Sequence, residues 1–281
     1  MKSFESEFQA EDGQRLFVRG WEPDGKPKGV AVLVHGLGEH TGRYPHVGAA
    51  FTDAGYVLAG FDLRGHGRTE GPRGYAPSFE AILGDIGAFF DFVRGRYPGN
   101  LPYFQYGHSL GGLLTLAYHL FAKPDVAGVL VTSPGLASAL VEQKAKVLMV
   151  KVLSSILPKM VLSTGLDVNT LSRDAKVVAA YVADPLVHEK TSLSFGRAGL
   201  DAIEYAFQHA PEFKAPLLIM HGTGDRLTYA RGGQAFIRLT TAQDATFKSW
   251  DGLYHELHNE PEQAQVIRTM IDWMDAHAAG S

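Results

Sequence analysis

Apolar residues along this chain fall in short continuous runs separated by amphipathic stretches. GVAVLVHG (29–36) is apolar up to its terminal glycine, the mark of a strand covered on both faces. YVLAGFDLRG (56–65), LPYFQYGHS (101–109), VAGVLVTSP (126–134) and APLLIMHG (215–222) repeat the pattern. Helical segments are predicted between and after them, over roughly 43–54, 78–96, 110–122, 230–241 and 260–277. Ahead of these, QRLFVRGW (14–21) alternates polar and apolar residues and is followed by Pro23-Asp24-Gly25, which predicts an N-terminal antiparallel hairpin. Strands alternating with helices imply an α/β fold with a mostly parallel central sheet and helices on both faces. Crossovers then place every parallel strand's C-terminal end on one edge, where ligands bind.

One segment breaks the rhythm. About 80 residues separate the strand ending at Ser133 from the one starting near Pro216, where connections of 2–6 are usual. Helix-like runs fill it, ALVEQKAKVLMVKVLSSILP (139–158) and LSRDAKVVAAYVADP (171–185), so an inserted helical lid is expected. The domain reading is a core of 1–134 and 212–281, with 135–211 as the lid. In the lid's first helix Lys144, Lys151 and Ser155 form a narrow polar stripe, while Leu148, Met149, Val152, Leu153, Ile156 and Leu157 cover most of the rest. Two readings follow: packing on two sides, or an apolar surface shared between an acyl tunnel and a lipid surface, with lysines near headgroups. The final residues AHAAGS (276–281) are expected to fray.

Composition narrows the chemistry. The 281 residues carry 26 basic and 30 acidic side chains, a net charge of −4, which argues against nucleic acid as a main partner. With no cysteine there is no disulfide, thiolate nucleophile, Cys-ligated zinc or iron–sulfur cluster. The first twenty residues are charged throughout, and no stretch reaches the roughly 18 apolar residues of a membrane span. A cytoplasmic protein is therefore expected, with peripheral contact to lipid through the lid. No pattern in the chain specifies an oligomeric state.

The central motif is Gly-His-Ser-Leu-Gly at 107–111. A Gly-x-Ser-x-Gly match is weak by itself, but here it follows an apolar strand and opens a helix, as a nucleophile elbow requires. A serine hydroxyl needs an oriented base, and in such enzymes the order along the chain is serine, acid, histidine. MHGTGDRLT (220–228) places Asp225 directly beyond a buried strand, and DGLYHELHNEP (251–261) places His255 in a loop before the last helix. His258 is the rival base; Asp244 and Asp251 are rival acids that do not follow a buried strand. The Gly-rich bend HGLGEHTGRY (35–44) exposes backbone N–H groups, so the Leu37 N–H and the Leu110 N–H are expected to form an oxyanion hole. The histidines of HELH (255–258) are spaced by three rather than the four of a helical zinc site, so neither metal nor cofactor is expected.

HGLGEHTGRY, FDLRGHGRTEGPRG (61–74), GHSLGG (107–112), LSRDAKVVAAYVADPL (171–186), GTGDRLT (222–228) and YHELHNEP (254–261) together resemble the monoacylglycerol lipases. Those belong, with bacterial lysophospholipase-like esterases, to the α/β-hydrolase superfamily. The resemblance runs in order across nearly the whole chain, lid included. It implies Ser109, Asp225 and His255 as the triad and Leu37 and Leu110 as oxyanion donors. It also implies that Glu39, Arg43, His108 and Tyr181 surround the glycerol end of a small amphipathic ester. Thr69 stands where the family's Gly-His-Gly-x-Ser element has serine, and the cysteines some relatives carry at the pocket are absent. The expected activity is a serine carboxylester hydrolase cleaving monoacylglycerols. The alternatives are a broad-specificity esterase or lysophospholipase, and a proline-iminopeptidase-like peptidase, which would need an acidic lid pocket for a free amine.

Overall fold

The five apolar runs all form strands, and their side chains alternate between two cores. In the computed structural model, which describes residues 1–278, the order is β1 (Lys2–Gln9), β2 (Arg15–Glu22), β3 (Gly29–Val34), α1 (Pro45–Asp53), β4 (Tyr56–Phe61), α2 (Phe79–Arg96), β5 (Tyr103–His108), α3 (Leu110–Ala122) and β6 (Gly128–Thr132). Then come α4 (Ala139–Glu142), α5 (Lys144–Ile156), β7 (Val161–Ser163), α6 (Ala175–Ala183), β8 (Lys190–Ser192) and α7 (Leu193–His209). The chain closes with β9 (Leu217–Gly222), α8 (Ala230–Leu239), β10 (Ala245–Trp250) and α9 (Gln263–Ala278). Residues 276–278, expected to fray, belong to α9; 279–281 lie outside the described residues.

Eight strands form one sheet in the order β1-β2-β4-β3-β5-β6-β9-β10. β1 with β2 and β2 with β4 are antiparallel; the remaining pairs are parallel. Within β3, Val30, Val32 and Val34 face one core with α2, α3 and α7, while Ala31 and Leu33 face the other with α1 and α9. β3 and β5 are neighbours, but the chain leaves β3 toward β4 on one side and leaves β5 toward β6 on the other. The loops after β3 and β5 therefore meet at a switch point, where α/β sheets form their crevice. No helix among the described residues is long and apolar enough to cross a membrane.

Three details differ from expectation. The N-terminal hairpin turns at residues 10–14, between β1 and β2; Pro23-Asp24-Gly25 instead leads β2 across to β3, which is not its neighbour. α7, at the end of the expected lid, buries Phe195, Ala198, Ala202 and Ala206 in the main core, so the insertion ends in a core helix. In α5, Lys151 pairs with Glu204 of α7 at 2.9 Å instead of standing free beside the apolar surface; Ser154 is its buried residue, with Val147, Val150 and Leu153 half-buried. Leu148 (64% exposed), Val152 (52%) and Ile156 (68%) point outward.

The insertion is stitched to the core by backbone. His188 N–H donates to the Gly38 carbonyl (3.0 Å), Ser192 N–H to that of Gly74 (2.7 Å), and Glu256 N–H to that of Leu171 (2.8 Å). Gly38 has φ +77°, and a Cβ there would collide with the His188 carbonyl, so this loop and the insertion touch as only a glycine permits.

Candidate active site

β5 ends at His108, and the chain reverses into α3 through Ser109, which has φ 55° and ψ −120°. Such a backbone is strained for a non-glycine residue, by about 1–3 kcal/mol. It is held by Ser109 N–H donating to the Thr132 carbonyl and by Leu113 and Gly135 N–H groups donating to the Ser109 carbonyl, at 2.9, 3.1 and 2.9 Å. A Cβ on Gly111 would run into the carbonyls of Val34 and His35, so α3 starts against β3 only because that position lacks a side chain. Ser109 makes no side-chain cap to α3. Its Oγ lies instead 2.8 Å from His255 Nε2.

The His255 ring is buried, and its Nδ1 lies 2.8 Å from Asp225 Oδ2. A carboxylate only accepts, so Nδ1 carries the hydrogen and Nε2 is left to accept from the serine hydroxyl. Burial alone would lower the His255 pKa, but the charge and hydrogen bond of Asp225 outweigh it and hold the imidazole above its ordinary value. Burial pushes the Asp225 carboxyl up, yet His255 and His221 hold it well below the usual carboxylate range. Its Oδ1 accepts from Leu227 and Thr228 N–H (2.8 and 3.1 Å), and its Oδ2 from the Thr228 hydroxyl (2.9 Å). His221 Nε2 approaches the same Oδ2 at 3.0 Å.

Leu37 and Leu110 border the same spot. Ser109, Leu37 and Leu110 are partly exposed among buried neighbours. A Cβ built on Gly36 would sit 3.2 Å from that of Ser109, which places the loop after β3 beside the serine. As the first residue of α3, Leu110 has an N–H with no intrahelical acceptor.

Of the residues expected at the glycerol end, Glu39, Arg43 and Tyr181 come together. Arg43 Nη1 donates to Glu39 Oε2 (2.9 Å), and the guanidinium lies 4.6 Å from the Tyr181 ring centre. His108 lies behind the triad: its Nδ1 is 3.0 Å from Thr132 Oγ1, and its ring packs between those of His255 and His258. Burial, then the charge of His255, pulls its pKa down to about 4. A groove of about 690 Å³ runs along α6, lined by Ser172, Arg173, Val178, Val182 and Tyr254 among others, rather than over Ser109.

The rivals fall elsewhere. His258 is fully buried, stacked on Tyr44 with ring centres 4.8 Å apart. Asp244 pairs with His277 (2.9 Å), and Asp251 accepts from the Thr223 hydroxyl (3.1 Å). Sequence reasoning did not find Ser133, His221, Thr228 or Glu256. Thr228, three residues after Asp225, left the one usable signal, because a hydroxyl at that spacing reaches back to a carboxylate.

Known proteins resemble this chain over nearly its whole length. A family model described as serine aminopeptidase, S33 (Hydrolase_4) matches residues 25–262. An uncharacterized abhydrolase domain-containing protein of Dictyostelium discoideum is 37% identical over 98% of this chain, which spans only 29% of that relative. Monoacylglycerol lipase of Mycolicibacterium smegmatis is 34% identical over 97% of both chains. Human monoglyceride lipase is 35% identical over 95% of this chain and 89% of its own. The crystal structure of Paleococcus ferrophilus monoacylglycerol lipase superposes with a TM-score of 0.86 at 34% identity, over 93% of this chain and 99% of that one. With a serine at the strained turn after β5 and a matched span covering most of its length, this chain belongs to the serine aminopeptidase S33 family and carries the α/β-hydrolase fold.

Proposed function

We propose that the protein is a serine carboxylester hydrolase that cleaves monoacylglycerols through an acyl-enzyme on Ser109. The observation that carries this reading is the relay of two 2.8 Å contacts from Ser109 Oγ through His255 to Asp225. Ser109 Oγ attacks the ester carbonyl carbon while His255 Nε2 takes its proton. The carbonyl oxygen becomes an oxyanion facing the Leu37 and Leu110 N–H groups. As the tetrahedral intermediate collapses, His255 returns the proton to the leaving glycerol oxygen. Water then enters, His255 takes its proton, the hydroxide attacks the acyl carbon, and the fatty acid leaves as Ser109 regains its hydrogen.

The family's description raises the aminopeptidase alternative, which needs a free carboxylate for the substrate's amine. Glu39 and Glu256 are the carboxylates closest in sequence to the loop after β3 and to His255, and Arg43 binds both. Both carboxylates are thus already engaged by a cation, which leaves neither free for a substrate amine, and the relatives named for monoglycerides point to a glyceryl ester.

Residues 135–192 serve as the lid over the strand ends. The outward apolar side of α5 is where the lid meets lipid, with Lys144 and Lys146 exposed beside it; Lys151, tied to Glu204, takes no part. Hydrolysis of a monoacylglycerol series, set beside aminoacyl-nitroanilides and repeated after a serine-directed fluorophosphonate, tests the function. Fluorophosphonate-sensitive release of fatty acid with intact anilides is expected. Anilide cleavage without ester cleavage would overturn it.

A further inference from the structure

We propose that Arg43 and Glu39 are positioning residues that lock the oxyanion loop to the His255 loop. This rests on the serine hydrolase reading above. Arg43 and Glu39 belong to the connection between β3 and α1; Glu256 directly follows His255, in the connection between β10 and α9. One guanidinium joins these two loops. Its Nη1 donates to Glu39 Oε2 and to Glu256 Oε1 (2.9 and 2.6 Å), and its Nη2 to Glu256 Oε2 (2.7 Å).

Each carboxylate is then used a second time, on the part of the site it serves. Glu39 Oε1 accepts from the Gly36 N–H and the Tyr44 hydroxyl, both at 2.7 Å, which pins the peptide preceding Leu37. Glu256 Oε2 also accepts from Asn259 Nδ2 at 2.8 Å, which braces the loop that carries the imidazole. The side chains of Arg43, Glu39 and Glu256 are all buried, and Tyr181 covers the guanidinium face. Three of the five guanidinium N–H groups are thus committed to the two carboxylates before any substrate binds, so the link between the loops does not depend on the ester's alcohol. The planar fork suits arginine alone: a lysine ammonium cannot grip Glu256 with two parallel bonds and hold Glu39 as well.

The experiment compares an ester that has a glycerol with one that lacks it. Arg43→Lys is assayed on 1-monolauroylglycerol and on p-nitrophenyl butyrate. We expect kcat to fall at least ~10-fold on both, by factors within ~3 of each other, with KM moving less than ~3-fold on either. Should Arg43→Lys lose its near-ultraviolet dichroism, Glu256→Gln, which keeps shape and one acceptor, is expected to show the same substrate-independent kcat loss at ~3-fold or more. A loss confined to 1-monolauroylglycerol, or rates within twofold of wild type on both esters, would overturn the proposal. If the wild-type protein cleaves only p-nitrophenyl butyrate, the substrate reading falls while the kcat loss on that ester still decides the positioning role.

Discussion

The hydroxyl of Ser133 donates to the backbone carbonyl of His255 at 2.7 Å. Ser133 directly follows β6 and has φ 46°, while its own N–H donates to the Met220 carbonyl in β9. The peptide behind the imidazole is thus anchored to two central strands. Ser133→Ala removes the shorter of two bonds to that carbonyl, leaving the one from the Leu257 N–H at 3.2 Å, a loss of about 0.5–1.5 kcal/mol. A fall in kcat of about 10-fold is expected, the kinetic equivalent of ~1.4 kcal/mol, with KM nearly constant. Steady-state kinetics on a soluble ester check it, and an unchanged kcat would remove Ser133 from the machinery.

Ser109→Ala and His255→Ala are each expected to reduce ester hydrolysis by ~10³-fold or more, with the double variant hardly worse than either, because the groups act as a unit. His258→Ala is expected to retain at least about a third of activity, a barrier change below ~1 kcal/mol. Its ring packs on Tyr44 and His108 and does not reach the serine. Comparing the purified variants decides between the two imidazoles; the reverse ranking would reassign the base.

The base must be neutral to accept the serine proton, so kcat/KM rises with pH as His255 loses its own. Burial lowers that pKa, but Asp225 raises it more, so the acid limb is expected above the unperturbed 6.5. Asp225→Asn removes the raising charge and leaves the burial, so its residual activity should titrate at lower pH, alongside a large loss in kcat. A pH profile of each enzyme tests the sign, and a limb that moved upward in Asp225→Asn would contradict it.

The proposed lipid contact of α5 rests on its outward residues Ile156 and Leu148. Ile156→Glu is expected to weaken sedimentation with vesicles, with p-nitrophenyl butyrate turnover within about twofold of wild type. Anionic lipid should strengthen association through Lys144 and Lys146, and salt should weaken it over a Debye length of ~8–10 Å. Equal sedimentation of Ile156→Glu and wild type would mean this side is not the contact.

The strands buried on both faces were legible because continuous apolar runs have no other use at that length. β10, ATFKSW, was not: it lies at the sheet edge, half-exposed, and mixes polar with apolar residues. α7 hid for a different reason. Its core side is built largely from Ala198, Ala202 and Ala206, which carry little periodic signal yet let the helix lie close to α3. In the site, Ser109, Asp225 and His255 each stand in a loop just past an apolar segment or before the last helix, so order and spacing reveal them. Ser133 and Glu256 act through partners more than 100 residues away in the chain, which no local pattern encodes. The placement of α5 also depends on its partner helix α7, whose Glu204 pairs with Lys151 and whose Gly196 lies beside Val150.

β6 and β9 are hydrogen-bonded neighbours, yet residues 133–216 lie between them. Loop-closure entropy grows only logarithmically with length, so this detour costs about 2.5 kcal/mol more than a five-residue connection would, some four doublings. Burying one large apolar side chain such as Phe195 in the main core returns about the same, ~1.5–3 kcal/mol. The closure cost of the excursion is thus matched within its own last helix. Closure entropy therefore sets little limit on how long residues 135–192 can be; what holds them to the sheet is the set of backbone bonds at Leu171, His188 and Ser192.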